Sequence, residues 1–197
     1  NMKRSIALSV HTETWAFTQP FRIAGRCYKD KTHVVVELSD GRVSGKGEAW
    51  CLYYCGETIE SVITDIESVA KRLENGLSRE ELQDVLPAGG ARNAIDLALW
   101  DLECKQTGKT IWQLTGINPK PIATVYTLGI ENTPEEMAAT AAAASQYPLL
   151  KIKLDGNQPV PRIEAIRAAR PDARLMIDAN QGWSFEQLLD VAPKLAA

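Results

Sequence analysis

Lys151-Ile152-Lys153 lies inside the apolar run Leu149 to Leu154, and Asp178-Ala179-Asn180 closes a second apolar run, Leu175-Met176-Ile177. Runs this short and apolar, each preceded by an amphipathic helical pattern, predict buried strands of alternating βα units. Residues two apart on a strand share a face. Both lysine ammoniums are therefore expected on one side of the first strand, and the Asp178 carboxylate with the Asn180 amide on one side of the second. Buried amines beside a buried carboxylate need a reason to be there. The economical reason is a site that removes protons next to a metal ion.

The physical demands of that chemistry suit these residue types. A proton α to a carboxylate is hard to remove because a second negative charge develops on that carboxylate; a hard dication held by oxygen ligands offsets it. A lysine acting as base must be largely neutral, yet a free lysine titrates near 10.4, roughly three units too high and a shortfall of about 4 kcal/mol. Burial, a second ammonium two residues away and a nearby cation all push it down. Lys151 thus has a task beside Lys153 even if it never touches substrate. The plainer readings are two lysines reaching out from a strand end, and an Asp178 that caps the turn Gln181-Gly182-Trp183.

The elements that must carry these residues change character along the chain. Residues 5–15 alternate as a half-buried strand should, a polar loop follows from Thr18 to Lys31, and the runs 34–38 and 42–50 are joined across Asp40-Gly41, a hairpin signal. Three strands in succession predict an antiparallel meander. Helical spacing then covers Thr58 to Leu73 with a stop at Asn75-Gly76, a capping box opens a helix at Ser78, and a third helix spans Ala91 to Lys105. Gly45-Lys46-Gly47 sits within a strand with no helix after it, which reads as a tight turn or bulge rather than a phosphate loop. Trp50, Trp100 and Trp112 read as core. Arg92, Asn93, Asp96 and Asp101 read as fastening the third helix between two domains.

Gly116 to Pro121 is the one linker signal. Beyond it the pattern is strand 122–130, helix 133–146, strand 149–155, helix 160–170, strand 173–180 and helix 184–196. This βαβαβα order predicts a parallel sheet with right-handed crossovers. Three such units cannot close a (β/α)8 barrel, which takes roughly 250 residues, and would leave an open apolar edge. The pattern therefore predicts part of a longer, truncated protein.

Composition narrows the partners. The chain has 197 residues, 45% hydrophobic and 24% charged, with a net charge of -3. That balance gives no cause to expect nucleic acid or a membrane surface. The four cysteines lack zinc-type spacing and read as reduced thiols, which places the protein in the cytoplasm. The opening Met2 to Leu8 is broken at His11 and Glu13, too early for a secretory segment, and reads as strand.

The meander followed by helices, Lys151-Ile152-Lys153-Leu154-Asp155, and Asp178-Ala179-Asn180-Gln181-Gly182-Trp183 together resemble the enolase superfamily, muconate-lactonizing subgroup. The stretch Leu86 to Asp101 resembles the bacterial dipeptide epimerases within it. The resemblance implies an α+β capping domain, residues 1–116, with a three-stranded antiparallel meander plus helices. An α/β domain would follow, residues 121–197, formed by the first three βα units of a TIM-like (β/α)7β barrel. It implies Lys153 as general base, Lys151 beside it, and Asp178 as the first of three carboxylate ligands to Mg²⁺, the established pattern of this superfamily. Thr127 would line the substrate pocket. The Thr18–Lys31 segment would be a flap, with Arg26 meeting a substrate side-chain carboxylate; Tyr28 or Lys29 could hold that place.

The implied activity is epimerisation at the α-carbon of a dipeptide of the Ala-Glu kind, through a metal-stabilised enolate, by a homo-oligomer acting on a small molecule. A lysine on the opposite face and two further metal carboxylates are not in this chain, so the 197 residues alone are expected to be inactive. Other outcomes of the same half-reaction stay open: cycloisomerisation, N-acylamino acid racemisation, or succinylbenzoate synthesis. So does a module completed by a partner chain.

Overall fold

The computed structural model describes residues 5–196; the Met2 to Arg4 part of the opening segment lies outside them. The described residues divide into two compact units, one of residues 5–15 and 31–120, the other of residues 16–30 and 121–196.

The first unit is built on strands β1 (Ala7–Ile23), β2 (Arg26–Ser39) and β3 (Ser44–Ala49), hydrogen-bonded in that order. β2 and β3 pair antiparallel from Val34↔Ala49 to Ser39↔Ser44. Asp40 to Val43 connects them, with Gly41 at φ +82 and the Asp40 side chain accepting from the Arg42 and Val43 amides. Val34, Val36 and Leu38 point to one face, where helices α1 (Ile59–Ser68), α2 (Ala70–Glu74), α3 (Arg79–Val85) and α4 (Gly90–Thr107) close over them through Ile66, Leu73, Leu82 and Ile95. The single helix expected over 58–73 is broken at Val69 (φ -104, ψ 4), although Ile66, Val69 and Leu73 all stay buried. Its stop and the next start follow expectation: Gly76 adopts φ +85, and Ser78 and Glu81 form a reciprocal capping box.

Gly45 and Gly47 are neither turn nor bulge, for their pairing with Leu38 and Val36 is unbroken. A Cβ on Gly45 would overlap the Ala98 carbonyl oxygen and the Leu102 amide nitrogen, and one on Gly47 the Ala94 carbonyl oxygen. The pair exists so that α4 can lie directly against β3. Side chains of α4 then cover the free edge of that strand. Lys105 Nζ donates to the Ser44 carbonyl (2.8 Å), Asp101 Oδ2 accepts from the Lys46 amide (2.8 Å), and Asn93 Nδ2 donates to the Glu48 carbonyl (3.1 Å). Asn93 and Asp101 thus fasten the helix within the first unit; Arg92 likewise donates to the Gln83 and Leu86 carbonyls there. Gly47→Ala is expected to cost about 3 kcal/mol, the upper range for overpacking where backbone is the obstacle. A shift in the urea midpoint at unchanged slope measures it, and no shift refutes the close-approach account.

The tryptophans depart from expectation. Trp112, in α5 (Ile111–Thr115), is 48% exposed. Trp100 is half-buried under the Arg79 guanidinium (3.4 Å), which also pairs with Glu103, and half-buried Trp50 carries Lys31 Nζ over its ring (4.8 Å).

The largest departure is the segment expected as a polar loop. Residues 18–31 are almost wholly strand: β1 and β2 run on as a long ribbon and turn at Ala24-Gly25, with Gly25 at φ +70. The ribbon beyond residue 15 belongs to the second unit. That unit's parallel sheet has the order β4 (Tyr126–Leu128), β5 (Leu149–Lys153), β6 (Arg174–Asp178), with helices α6 (Pro134–Ala143), α7 (Pro159–Ala169) and α8 (Phe185–Leu195). The strand expected over 122–130 shrinks to three residues, and Ile122 is exposed. Thr133 and Ser184 cap α6 and α8. No helix among the described residues is long and apolar enough to cross a membrane.

Candidate active site at the ends of the parallel strands

Register decides which residues meet. Thr127 lies opposite Lys151, which lies opposite Met176; one row on, Leu128, Ile152 and Ile177 align, and then Lys153 stands opposite Asp178. Alternation along each strand divides the sheet into two faces. Leu128, Leu150, Ile152 and Leu154 fill the core beneath α6 and α7 with Met137, Ala141, Ile163 and Ile166. Thr127, Lys151, Lys153 and Asp178 stand on the other face. The apolar face fixes the register, because a slip of one residue would drive both ammoniums into that core.

The two lysines converge on one atom. Lys153 Nζ lies 2.7 Å and Lys151 Nζ 2.9 Å from Asp178 Oδ2. The Asn180 amide donates to Oδ1 (2.9 Å). The side chains are only 10% (Lys153), 29% (Lys151) and 27% (Asp178) exposed. Burial alone would raise the Asp178 carboxyl. The hydrogen bonds from Lys151, Lys153 and the Asn180 amide outweigh it and hold that carboxyl well below the usual carboxylate range. An ammonium pair neutralised by a single carboxylate keeps one positive charge in excess, a ready counter-ion for an anionic ligand.

The turn after Asp178 is strained. Asn180 (φ 46) and Gln181 (φ 63) both take left-handed backbone without being glycine. The Asn180 Oδ1 atom is buried with no hydrogen-bond partner. Gly182 sits where a Cβ would come within 2.6 Å of the Ala24 Cβ at the ribbon tip.

Thr127 lines a cleft of about 360 Å³ with Phe17, Phe21 and Tyr147. Arg26, exposed, opens the second ribbon strand in the same compact unit as the lysines. A cleft of about 900 Å³ in the first unit, lined by Trp15, Leu97, Trp100 and Ile111, contains none of the site residues expected from sequence.

Among the described residues no three His, Cys, Asp or Glu side chains gather to hold a metal. Mg²⁺ asks for near-octahedral oxygen donors. The Asp178 carboxylate has the right chemistry for one position of such a shell and does not complete it.

Sequence reasoning passed over Arg162 and Arg170, both buried. The signal was present: Arg162, Ile163, Ile166 and Arg170 share helical spacing, so the arginines interrupt an apolar stripe.

Two family models match the chain: the mandelate racemase/muconate lactonizing enzyme N-terminal domain over residues 5–116, and the enolase C-terminal domain-like region over residues 135–197. The chain belongs to the mandelate racemase/muconate lactonizing enzyme family of the enolase superfamily. Within it, the chain is 43% identical over 184 residues to an L-Ala-D/L-Glu epimerase of Escherichia coli, covering 92% of this chain and 57% of that protein. Among solved structures, an enolase family member from Agrobacterium tumefaciens, described as homologous to dipeptide epimerases and holding sodium and L-Ala-L-Glu, matches with TM-score 0.87. It is 40% identical, over 97% of this chain and 60% of that one. A dipeptide epimerase from Enterococcus faecalis complexed with Mg and L-Leu-L-Tyr matches with TM-score 0.83 at 26% identity, over 98% of this chain and 58% of that one. The chain thus spans little more than half the length of these relatives.

Proposed function

We propose that this chain carries one half of the active site of a magnesium-dependent dipeptide epimerase. Residues 1–116 form its capping domain, whose ribbon of residues 16–30 belongs to the second compact unit, and residues 121–197 form the first three βα units of a (β/α)7β barrel. The observation that carries the reading is the meeting of two ammoniums on one carboxylate oxygen, on the polar face of a parallel sheet near the C-terminal ends of its strands, where α/β enzymes of this architecture keep their chemistry.

Lys153, the more buried lysine, takes the α-proton, and the electron pair passes onto the substrate carboxylate. Lys151 adds positive charge beside it, drawing the substrate carboxylate in. Asp178 would hold Mg²⁺ together with donors outside these residues; when bound, the cation would neutralise the charge developing on the substrate carboxylate. Thr127 lines the substrate pocket, and Arg26 on the ribbon meets an acidic substrate side chain. The names of the relatives favour a dipeptide of the L-Ala-Glu kind. The same reading describes a homo-oligomer of the cytoplasm with a small-molecule substrate.

Deuterium incorporation at the glutamyl α-carbon of L-Ala-L-Glu tests it. The 197-residue chain is expected to give no magnesium-dependent exchange. Fused to the remaining portion of the Escherichia coli relative, it is expected to exchange and to epimerise. A folded fusion without α-hydrogen exchange on any dipeptide of a broad library would refute the reading.

A further inference from the structure

Arg162 is a buried charge that the proposed chemistry does not use. It stands in the first turns of α7, is 2% exposed, and pairs with no carboxylate among the described residues. Its donors go instead to main-chain carbonyls of two loops. Nη1 reaches the Glu131 carbonyl (2.7 Å) and Nη2 that of Asn132 (3.2 Å), both in the loop after β4; Nε reaches that of Asn157 (3.0 Å), in the loop after β5. Nη1 also lies 3.0 Å from Met137 Sδ.

A guanidinium buried without a counter-ion carries a large desolvation penalty. Neighbours such as Met137, Ile163 and Ile166 would accept an apolar side chain without that penalty. What arginine adds is a planar fork of donors able to hold two separate loops at once, a geometry lysine cannot reproduce.

Those loops are tied onward. Trp183 Nε1, in the loop after β6, donates to the Asp155 carbonyl (2.8 Å) in the loop after β5. The loop after β4 carries the ribbon: the Ile130 amide donates to the Arg22 carbonyl (2.9 Å), and Arg22 Nη1 donates to Asn132 Oδ1 (3.2 Å). Gly129 leaves room there, since a Cβ would sit 3.3 Å from the Arg22 carbonyl oxygen and the Phe21 ring.

We propose that Arg162 is a positioning residue: it fixes the loops that follow β4 and β5, and through them the loop after β6 and the seat of the ribbon tip. Its consequence for catalysis rests on the function proposed above, whereas the loop order does not. Amide hydrogen exchange by NMR on the 197-residue chain tests it with Arg162→Met, which keeps the apolar bulk, and Arg162→Lys, which keeps the charge. The Ile130 amide and the Trp183 indole are expected to exchange about tenfold faster in both variants, with the Ile152 amide of β5 nearly unchanged. No acceleration, or an equal acceleration at Ile152, would overturn the proposal, the latter marking a merely structural residue. Should neither variant fold, the unaltered chain decides. Slowly exchanging Arg162 guanidinium protons, coupled across hydrogen bonds to the Glu131 and Asn157 carbonyls, are expected, and rapidly exchanging ones refute it. Ordered loops in a fusion that lacks α-hydrogen exchange would defeat the epimerase reading and leave this one standing.

Discussion

Lys153→Ala, in the fusion that completes the barrel, is expected to slow α-hydrogen exchange from one epimer of the substrate by about 10³–10⁴-fold, the upper span for loss of a positioned general base. Exchange from the other epimer should survive, because its proton faces the base on the opposite side. That asymmetry separates the loss of a base from a general loss of fold. Asp178 still has Lys151 as a partner in the variant, so the remaining charges stay paired. Equal loss from both epimers, or no loss, would remove Lys153 from the chemistry.

The second large effect is on stability. Asp178→Asn leaves two partly buried ammoniums, 2.7 and 2.9 Å from the lost carboxylate oxygen, without a counter-charge. Removing one partner of a fully buried pair costs 3–5 kcal/mol; with Asp178 27% exposed, a loss of roughly 2–3 kcal/mol is expected at pH 7. The effect has a definite pH signature. The folded-state pKa of Asp178 is depressed, so its contribution is fully present above the unfolded carboxyl value near 4 and fades as pH falls below that toward the folded value. Asparagine has no such titration. Urea midpoints of the two proteins should therefore draw together between pH 5 and about pH 2.5. A gap that stays constant over that range would mean the carboxylate does not hold the lysines.

Legibility in the sequence followed the hydrophobic pattern. Lys151, Lys153 and Asp178 could be placed on one face because each interrupts a run whose other members must be buried, and period-two alternation leaves no second arrangement. The meander and the parallel strands were legible for the same reason. The ribbon was not, since Thr18, Gln19, Pro20, Arg26 and Cys27 are exposed and carry no alternation to read. β4 was overextended because Ile122 and Ala123 look like strand in isolation, while among the described residues the pairing of β4 with β5 begins only at Tyr126. Gly45 and Gly47 were misread because a close approach between helix and strand leaves the same mark in sequence as a bend. Trp112 misled by its type, since a large aromatic is not bound to the core. Arg162 escaped notice because its partners are carbonyls, which every residue has.

The way α4 covers the outer side of β3 has a consequence for assembly. An uncovered strand recruits any extended peptide that can zip onto its unpaired amides, which is how swapped dimers and fibrils begin. Here Asn93, Asp101 and Lys105 already occupy three of the groups an incoming peptide would need, and the two glycines let the helix lie close beside them. On this side the meander is finished at three strands, so an added copy of the chain meets side chains of α4 at the β3 edge rather than open backbone.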